Sequence, residues 1–168
     1  MKQIFIFTIF LSLLSCDNSI KNKQTSLDFS CPRVFFSTGD RIYIDNSISL
    51  DNILIKAEFN NFTFNKQCLQ KKNTAVIPLD ILIVAKPMDN LEESLLSLPV
   101  FITLLDANDK ILETQYFSVS GFMNKNSQTN SFIETEIIDR LTVATKYLDT
   151  SQLIIGFMLD DKKKNLLN

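Results

Sequence analysis

Residues 74–85 read Thr-Ala-Val-Ile-Pro-Leu-Asp-Ile-Leu-Ile-Val-Ala. Ala75, Ile77, Leu79, Ile81, Ile83 and Ala85 fall at every second place, and Val76, Pro78, Asp80, Leu82 and Val84 take the places between them. Successive side chains of a strand point to opposite faces, so this spacing predicts a long strand with one wholly apolar face. A period of 3.6 would scatter the same residues around a helix. Pro78 has no N–H to give to a ladder, so the strand is expected to have an unpaired edge at that point.

The flanking segments repeat the pattern on a smaller scale. Ile53, Ile55, Ala57 and Phe59 alternate with Leu54, Lys56 and Glu58, the mark of a half-buried strand. Asn60-Asn61 is expected to bulge or kink it ahead of Phe62-Thr63-Phe64. Arg33–Phe36 and residues 41–45 are short strand candidates. Residues 100–105 and 111–119 flank Asp106-Ala107-Asn108-Asp109-Lys110, which predicts a hairpin with a short polar turn. Residues 132–138 and 153–159 complete the set; in the last, Leu153, Ile155, Phe157 and Leu159 share one side and Gly156 lies opposite.

Helix signals are weak. Residues 90–96 suit one or two turns with Asp89 or Asn90 as cap, and residues 139–147 are a weaker candidate. No internal repeat or second domain shows. About seven short strands with polar turns predict an all-β fold. The expected architecture is a single antiparallel β-sandwich of immunoglobulin or fibronectin III character, with a small β-barrel as the alternative. The absence of Trp and the placement of the cysteines depart from antibody-type domains.

Length and composition narrow the function. The chain has 168 residues, 45% of them apolar, which fits one domain and is not a disordered composition. With 17 basic and 19 acidic residues the formal net charge is −2, and no nucleic-acid partner is expected, because phosphate neutralisation needs a basic face. The chain has no His, which removes Ser-His-Asp and Cys-His nucleophiles, imidazole acid–base work and most zinc and haem sites. Three Gly leave little for phosphate-cradling loops.

The N-terminus reads as an address. Lys2 is followed by residues 4–14, Ile-Phe-Ile-Phe-Thr-Ile-Phe-Leu-Ser-Leu-Leu, and then Ser15-Cys16. That apolar run has the length of a signal-peptide core and falls short of the ~20 residues a spanning helix needs. Leu13-Leu14-Ser15-Cys16 resembles the lipobox of bacterial lipoproteins. In that family the Cys thiol receives a diacylglycerol and cleavage makes it the new N-terminus. The resemblance implies lipidation at Cys16, a membrane held through acyl chains at ~0.8 kcal/mol per buried CH₂, and a chain facing the periplasm. Asp17 resembles an inner-membrane retention signal of enteric bacteria, and the choice between inner and outer membrane stays open. The expected organisation is a signal peptide over 1–15, the lipidated Cys and a flexible tether over 16–30, a β-sandwich over 31–161 and a charged tail over 162–168. Cleavage removes only Lys2 from the charged residues, leaving a net charge of −3.

Cys31 and Cys68 remain after processing. An oxidising compartment predicts a disulfide between them. It would close a loop of about 37 residues and contribute roughly 4 kcal/mol in the chain-entropy account. A redox or metal pair is the alternative reading, but CxxC spacing and His are both missing.

Several stretches, taken in order, resemble an uncharacterised family of small alphaproteobacterial lipoproteins. They are Cys31-Pro32-Arg33-Val34, Cys68, Leu98-Pro99-Val100-Phe101 running into Leu105-Asp106, and Ile154-Ile155-Gly156-Phe157. Together they cover most of residues 31–159. Where the family pattern has Gly or Pro, this chain often has Asn, Lys or Ile. The resemblance implies a paired Cys31–Cys68 and the lipid anchor, and carries over no catalytic residue.

Few residues suggest chemistry. Glu134 and Glu136 lie two apart on a strand, so their carboxylates share a face; paired carboxylates serve glycosidases at separations of about 5–10 Å, but a solvated strand face is the plainer reading. Asp106, Asn108 and Asp109 lack the Gly and the terminal Glu of an EF-hand and read as a turn. Ser118-Val119-Ser120-Gly121 lacks nucleophile-elbow spacing and any His partner. Asp160-Asp161-Lys162-Lys163-Lys164 reads as a free charged tail. Phe35-Phe36 and Phe62 with Phe64 are candidates to line a binding face.

These observations favour a non-catalytic, lipid-anchored envelope protein. It would tether a protein-binding or assembly surface, with an envelope protein as partner and strand addition as the mode of contact. The alternative is a small-ligand or lipid-binding module with an apolar cavity between its sheets. No catalytic residue, metal or cofactor is expected.

Overall fold

The computed structural model describes residues 27–45, 53–88 and 95–161, together with Lys163 and Leu167. The lipobox, including Cys16, lies outside the described residues. The ten described strands are β1 (Leu27–Asp28), β2 (Arg33–Phe36), β3 (Ile42–Asp45), β4 (Ile55–Thr63), β5 (Leu69–Lys71), β6 (Thr74–Pro87), β7 (Leu95–Leu105), β8 (Ile111–Phe122), β9 (Thr135–Thr145) and β10 (Gln152–Phe157).

They form two curled sheets packed face to face. In the six-stranded sheet β6 is shared by three neighbours: β9 runs along one edge from Ala75 to Ala85, while β5 and β4 divide the other. The four-stranded sheet has the order β2-β10-β7-β8. All pairings are antiparallel except β2 with β10, which is parallel. The neighbours β4-β6-β9 and β8-β7-β10 follow the A-B-E and C′-C-F adjacency of the immunoglobulin sandwich. The parallel β2 then takes the place where that fold has an antiparallel last strand.

β6 has the alternation expected of it. Ala75, Ile77, Leu79, Ile81, Ile83 and Ala85 are fully buried, and the residues between them are half-exposed. On the divided edge the register ends with Leu69↔Val76 on β5 and resumes with Thr63↔Asp80 on β4, so Pro78 sits in the gap, opposite neither strand. The missing N–H falls where no ladder needs it. The Asn60-Asn61 irregularity is also present, as a register shift between Phe59 and Asn61. Asn61 Oδ1 accepts the N–H of Phe62 there, at 2.8 Å.

The core lies between the sheets. Leu98, Val100, Ile102 and Leu104 of β7 and Leu153, Ile155 and Phe157 of β10 face the buried row of β6. A chain of rings threads this space: Phe64, Phe62, Phe36, Phe59, Phe157 and Tyr43, with successive centroids 4.1–6.2 Å apart. Phe59 and Phe157 stack at 4.1 Å and are fully buried, so each combines a large area term with a ring–ring contact of about 0.5–1.5 kcal/mol. Lys163 covers the end of the chain: its Nζ lies 4.5 Å from the Tyr43 ring and donates to the Tyr43 hydroxyl at 3.2 Å. The segment expected as a free tail is thus held on β3 at this residue.

The sandwich closes along one side through side chains. Thr145 Oγ1 on β9 donates to Glu113 on β8 at 2.8 Å, and Gln115 Nε2 on β8 donates to the Ala144 carbonyl at 2.9 Å. Further along, Gly121 on β8 lies against Ile137 on β9, where an added Cβ would stand 2.8 Å from two side-chain carbons.

Some expectations are corrected. Leu95 and Leu96 belong to β7 rather than to a helical turn, while residues 89–94 lie outside the described residues. Residues 139–145 are strand, because pairing along the length of β6 outweighs a weak helical pattern. Phe132 precedes β9 and bridges to Lys125, and Leu159 lies beyond the end of β10. β1 falls within the stretch expected as tether, and it and β5 are new strands.

Two measurements bear on this fold. Cys31 and Cys68 form a disulfide with their Cα atoms 5.2 Å apart, tying the entry to β2 to the entry to β5. Replacing both by Ser should lower the unfolding free energy in urea by about 4 kcal/mol if unfolded-chain entropy dominates; an unchanged midpoint would contradict that account. On the outer face Arg140 Nε donates to Asp80 at 3.1 Å, and Asn65 Nδ2 donates to the same oxygen. These bonds, that from Arg140 first, hold the Asp80 carboxyl below its ordinary value of 3.8. A depressed carboxyl stabilises the fold above its ordinary value and loses that contribution as pH falls below it and through the lowered value of the folded state. The stability difference between the native chain and Asp80→Asn should therefore be present at pH 7 and shrink below pH 3.8, as read by urea melts across pH.

Candidate functional site

The two outward faces of the sandwich differ. Antiparallel sheets usually set polar side chains toward water. In the four-stranded sheet the cross-strand register instead places large apolar residues there. Ile154 of β10 lies between Phe35 of β2 and Thr103 of β7. One step along, Phe101 of β7 lies between Gly156 of β10 and Tyr116 of β8. Phe35, Ile154, Phe101 and Tyr116 thus form a diagonal strip across all four strands, with Phe35 46% and Tyr116 67% exposed. Gly156 makes the strip possible: an added Cβ would stand 2.5 Å from Phe101 Cζ, so the ring lies flat over bare backbone.

The strip ends at an edge that no described strand covers. The N–H groups of Arg33 and Ser37 bond the carbonyls of Ser151 and Ile155 along β10, at 3.0 and 2.8 Å. Alternation then turns the backbone groups of Val34 and Phe36 to the opposite edge, where no described strand pairs with β2. Other edges are better guarded. Those of β8 and β9 face each other across the side-chain seam, and Lys163 packs over β3. The Cys31–Cys68 disulfide fixes β2 at its root, and Phe36 anchors it inward by stacking on Phe59 at 5.2 Å. Arg33 lies over the Phe35 ring at 5.9 Å. Of the phenylalanines singled out in the sequence, Phe35 is on the surface, whereas Phe36, Phe62 and Phe64 pack partly buried against the core.

The outer face of the six-stranded sheet holds a polar groove of about 300 Å³. Register sets Lys56 directly opposite Lys86; Glu134 pairs with Lys86 at 2.9 Å, and in the same groove Glu58 pairs with Arg41 at 3.3 Å. Hydrogen bonding to Glu134 raises the Lys86 ammonium above its ordinary value. Glu134 therefore meets Glu58 in one groove, each engaged by a cation, while Glu136 lies outside on β9 opposite Val84. All four charged groups are about half-exposed, which makes the pairs weak in water.

Other candidates have structural roles. Asp106 Oδ1 accepts the N–H groups of Asn108 and Lys110 at 2.8 and 3.0 Å, closing the β7–β8 turn, in which Asp109 has φ 61°. Ser118 shares a hydrogen bond with Ser97 across the β7–β8 pair at 2.9 Å.

The strip separates two kinds of substitution. Gly156→Val should lower the urea midpoint markedly, because the new side chain collides with the Phe101 ring. Tyr116→Ser should leave the unfolding free energy within about 0.5 kcal/mol of native, as for an exposed surface site. Equal losses at both positions would show that Tyr116 is part of the packed structure instead of a free surface.

Compared with family models, curated proteins and solved structures, the chain gives no match.

Proposed function

We propose that the chain is a lipid-anchored, non-catalytic protein of the cell envelope. Its four-stranded sheet docks an extended segment of an envelope protein along β2. The observation that carries this reading is the meeting of the apolar strip with an edge of β2 that no described strand pairs. Backbone groups of Val34 and Phe36 offer strand pairing, and Phe35 and Ile154 offer side-chain contact beside them. Strand addition uses this division of labour: main-chain bonds give affinity and alternate side chains give selectivity. The lipobox-like Leu13-Leu14-Ser15-Cys16 and the Cys31–Cys68 disulfide support an anchored, periplasm-facing setting. A small-ligand carrier would need apolar room between the sheets, and Phe59, Phe157, Ile102, Leu104 and the β6 row occupy that space.

In-cell crosslinking through a photoreactive residue at position 35, followed by pull-down, tests the reading. Val34→Pro deletes an outward N–H and leaves the β10 ladder intact, as edge strands allow. A specific partner should be captured by the native chain and lost with Val34→Pro and with Cys16→Ser. Capture that survives Val34→Pro would overturn the strand-addition mode, and membrane retention of Cys16→Ser would overturn the anchor.

A further inference from the structure

Topology assigns the ends of the sandwich different surroundings. β1 is antiparallel to β5, with Leu27 opposite Gln70, and Gln70 lies opposite Ala75 near the start of β6. The chain therefore enters the fold at the end where β6 begins. The same end carries the β5–β6 turn, the β7–β8 turn, the β9–β10 connection and the start of β2. The opposite end carries the hairpin at 124–133, where Ala85 pairs with Thr135 just beyond it.

Reach separates these ends. Leu27 is eleven residues from Cys16, and at ~3.3–3.6 Å per residue the link spans at most about 40 Å, or roughly 18 Å r.m.s. as a flexible coil. From Ala75 to Pro87 β6 extends a further ~40 Å. Putting the far end on the bilayer would demand a fully drawn-out link. The entry end needs only a relaxed one.

The side chains at the entry end suit a headgroup layer. Arg33, Lys71, Lys72, Lys110 and Lys146 are all exposed there. Four carboxylates stand beside these five cations and keep their charge, leaving one cation in excess among the described side chains: Asp106 accepts two backbone N–H groups, Asp109 accepts from Gln152 Nε2 at 2.6 Å, Glu113 accepts from Thr145, and Asp149 is exposed. Ile111 (64% exposed) and Leu148 (38%) give this end an apolar component, with Lys146 over the Tyr147 ring at 5.3 Å. Lysine and exposed aliphatic or aromatic side chains together suit an anionic membrane interface.

We propose that this end of the sandwich, from the Lys71-Lys72 turn across Lys146 and Leu148 to Ile111, rests on the surface of an anionic bilayer. The domain then stands upright, and the strip of the four-stranded sheet stays open to a protein partner. The inference rests on the lipid-anchored reading above.

The chain has no Trp, so a single introduced indole reports one position. The full lipidated chain is reconstituted into vesicles of phosphatidylcholine and phosphatidylglycerol, with and without bromine on the acyl chains. Ile111→Trp and Leu148→Trp should lose emission in the brominated vesicles. Ile133→Trp, at the far end, and Tyr116→Trp, on the strip, should keep theirs. Quenching at Ile133→Trp would invert the orientation. Quenching at Tyr116→Trp would mean that the domain lies flat. No quenching at any position on vesicle-bound protein would mean that the domain stands clear of the lipid; each of these results overturns the proposal. The intact mass of each preparation reports the diacylglyceryl group on Cys16 separately, and its absence would remove the anchored reading and this inference together.

Discussion

The buried row from Ala75 to Ala85 sets the phase of every strand beside β6. Because β6 pairs with β4, β5 and β9, a slip of one residue would exchange its faces against three partners. It would drive Asp80 into the core away from Arg140 and Asn65, and an unpaired buried carboxylate is costly. Pro78 adds a second constraint, since its backbone is tolerated only opposite the gap between β5 and β4. The facing sheet then interlocks through Phe59 and Phe157, one ring from each layer.

Elements were legible in the sequence where the local signal and the tertiary context agree. β6, β2, the Asn60-Asn61 irregularity and the Asp106–Lys110 turn each carry their own pattern or turn chemistry. β1 and β5 have two and three residues, too few to show a period. Residues 139–145 mix a charged pair with scattered apolar residues, and only the long pairing with β6 fixes them as strand. The strip is the clearest case of information absent from local pattern. Phe35 stands out as half of a Phe pair, but Phe101, Tyr116 and Ile154 are scattered along the chain. They become neighbours only because β10 inserts between β2 and β7.

The contrast between the outer faces is physical as well as compositional. On the six-stranded sheet, cations and carboxylates are matched in exposed pairs, an arrangement that keeps a sheet surface wet and adds little energy. On the four-stranded sheet, the Phe101 ring lies over the Gly156 backbone and Phe35 stands on an edge that no described strand pairs. An apolar face of that kind is a hydration liability unless something covers it for part of the protein's life. The disulfide and the Phe36–Phe59 stack hold β2 in place, which in the proposed strand addition would limit the conformational entropy lost.

The position of β10 also dictates an order of events. It occupies residues 152–157, the last of the described strands, yet it lies between β2 (Arg33–Phe36) and β7. As the chain is synthesised, β2 has no described ladder to join until β3 to β9 have been made. In that interval the Cys31–Cys68 link is the one covalent means of keeping β2 beside the six-stranded sheet, whose β4, β5 and β6 are already available. The parallel β2–β10 pair joins two of the most widely separated of the described strands, and forming it completes a slow, non-local topology. The surface strip does not exist before that moment: β10 assembles both the sheet and its apolar outer strip.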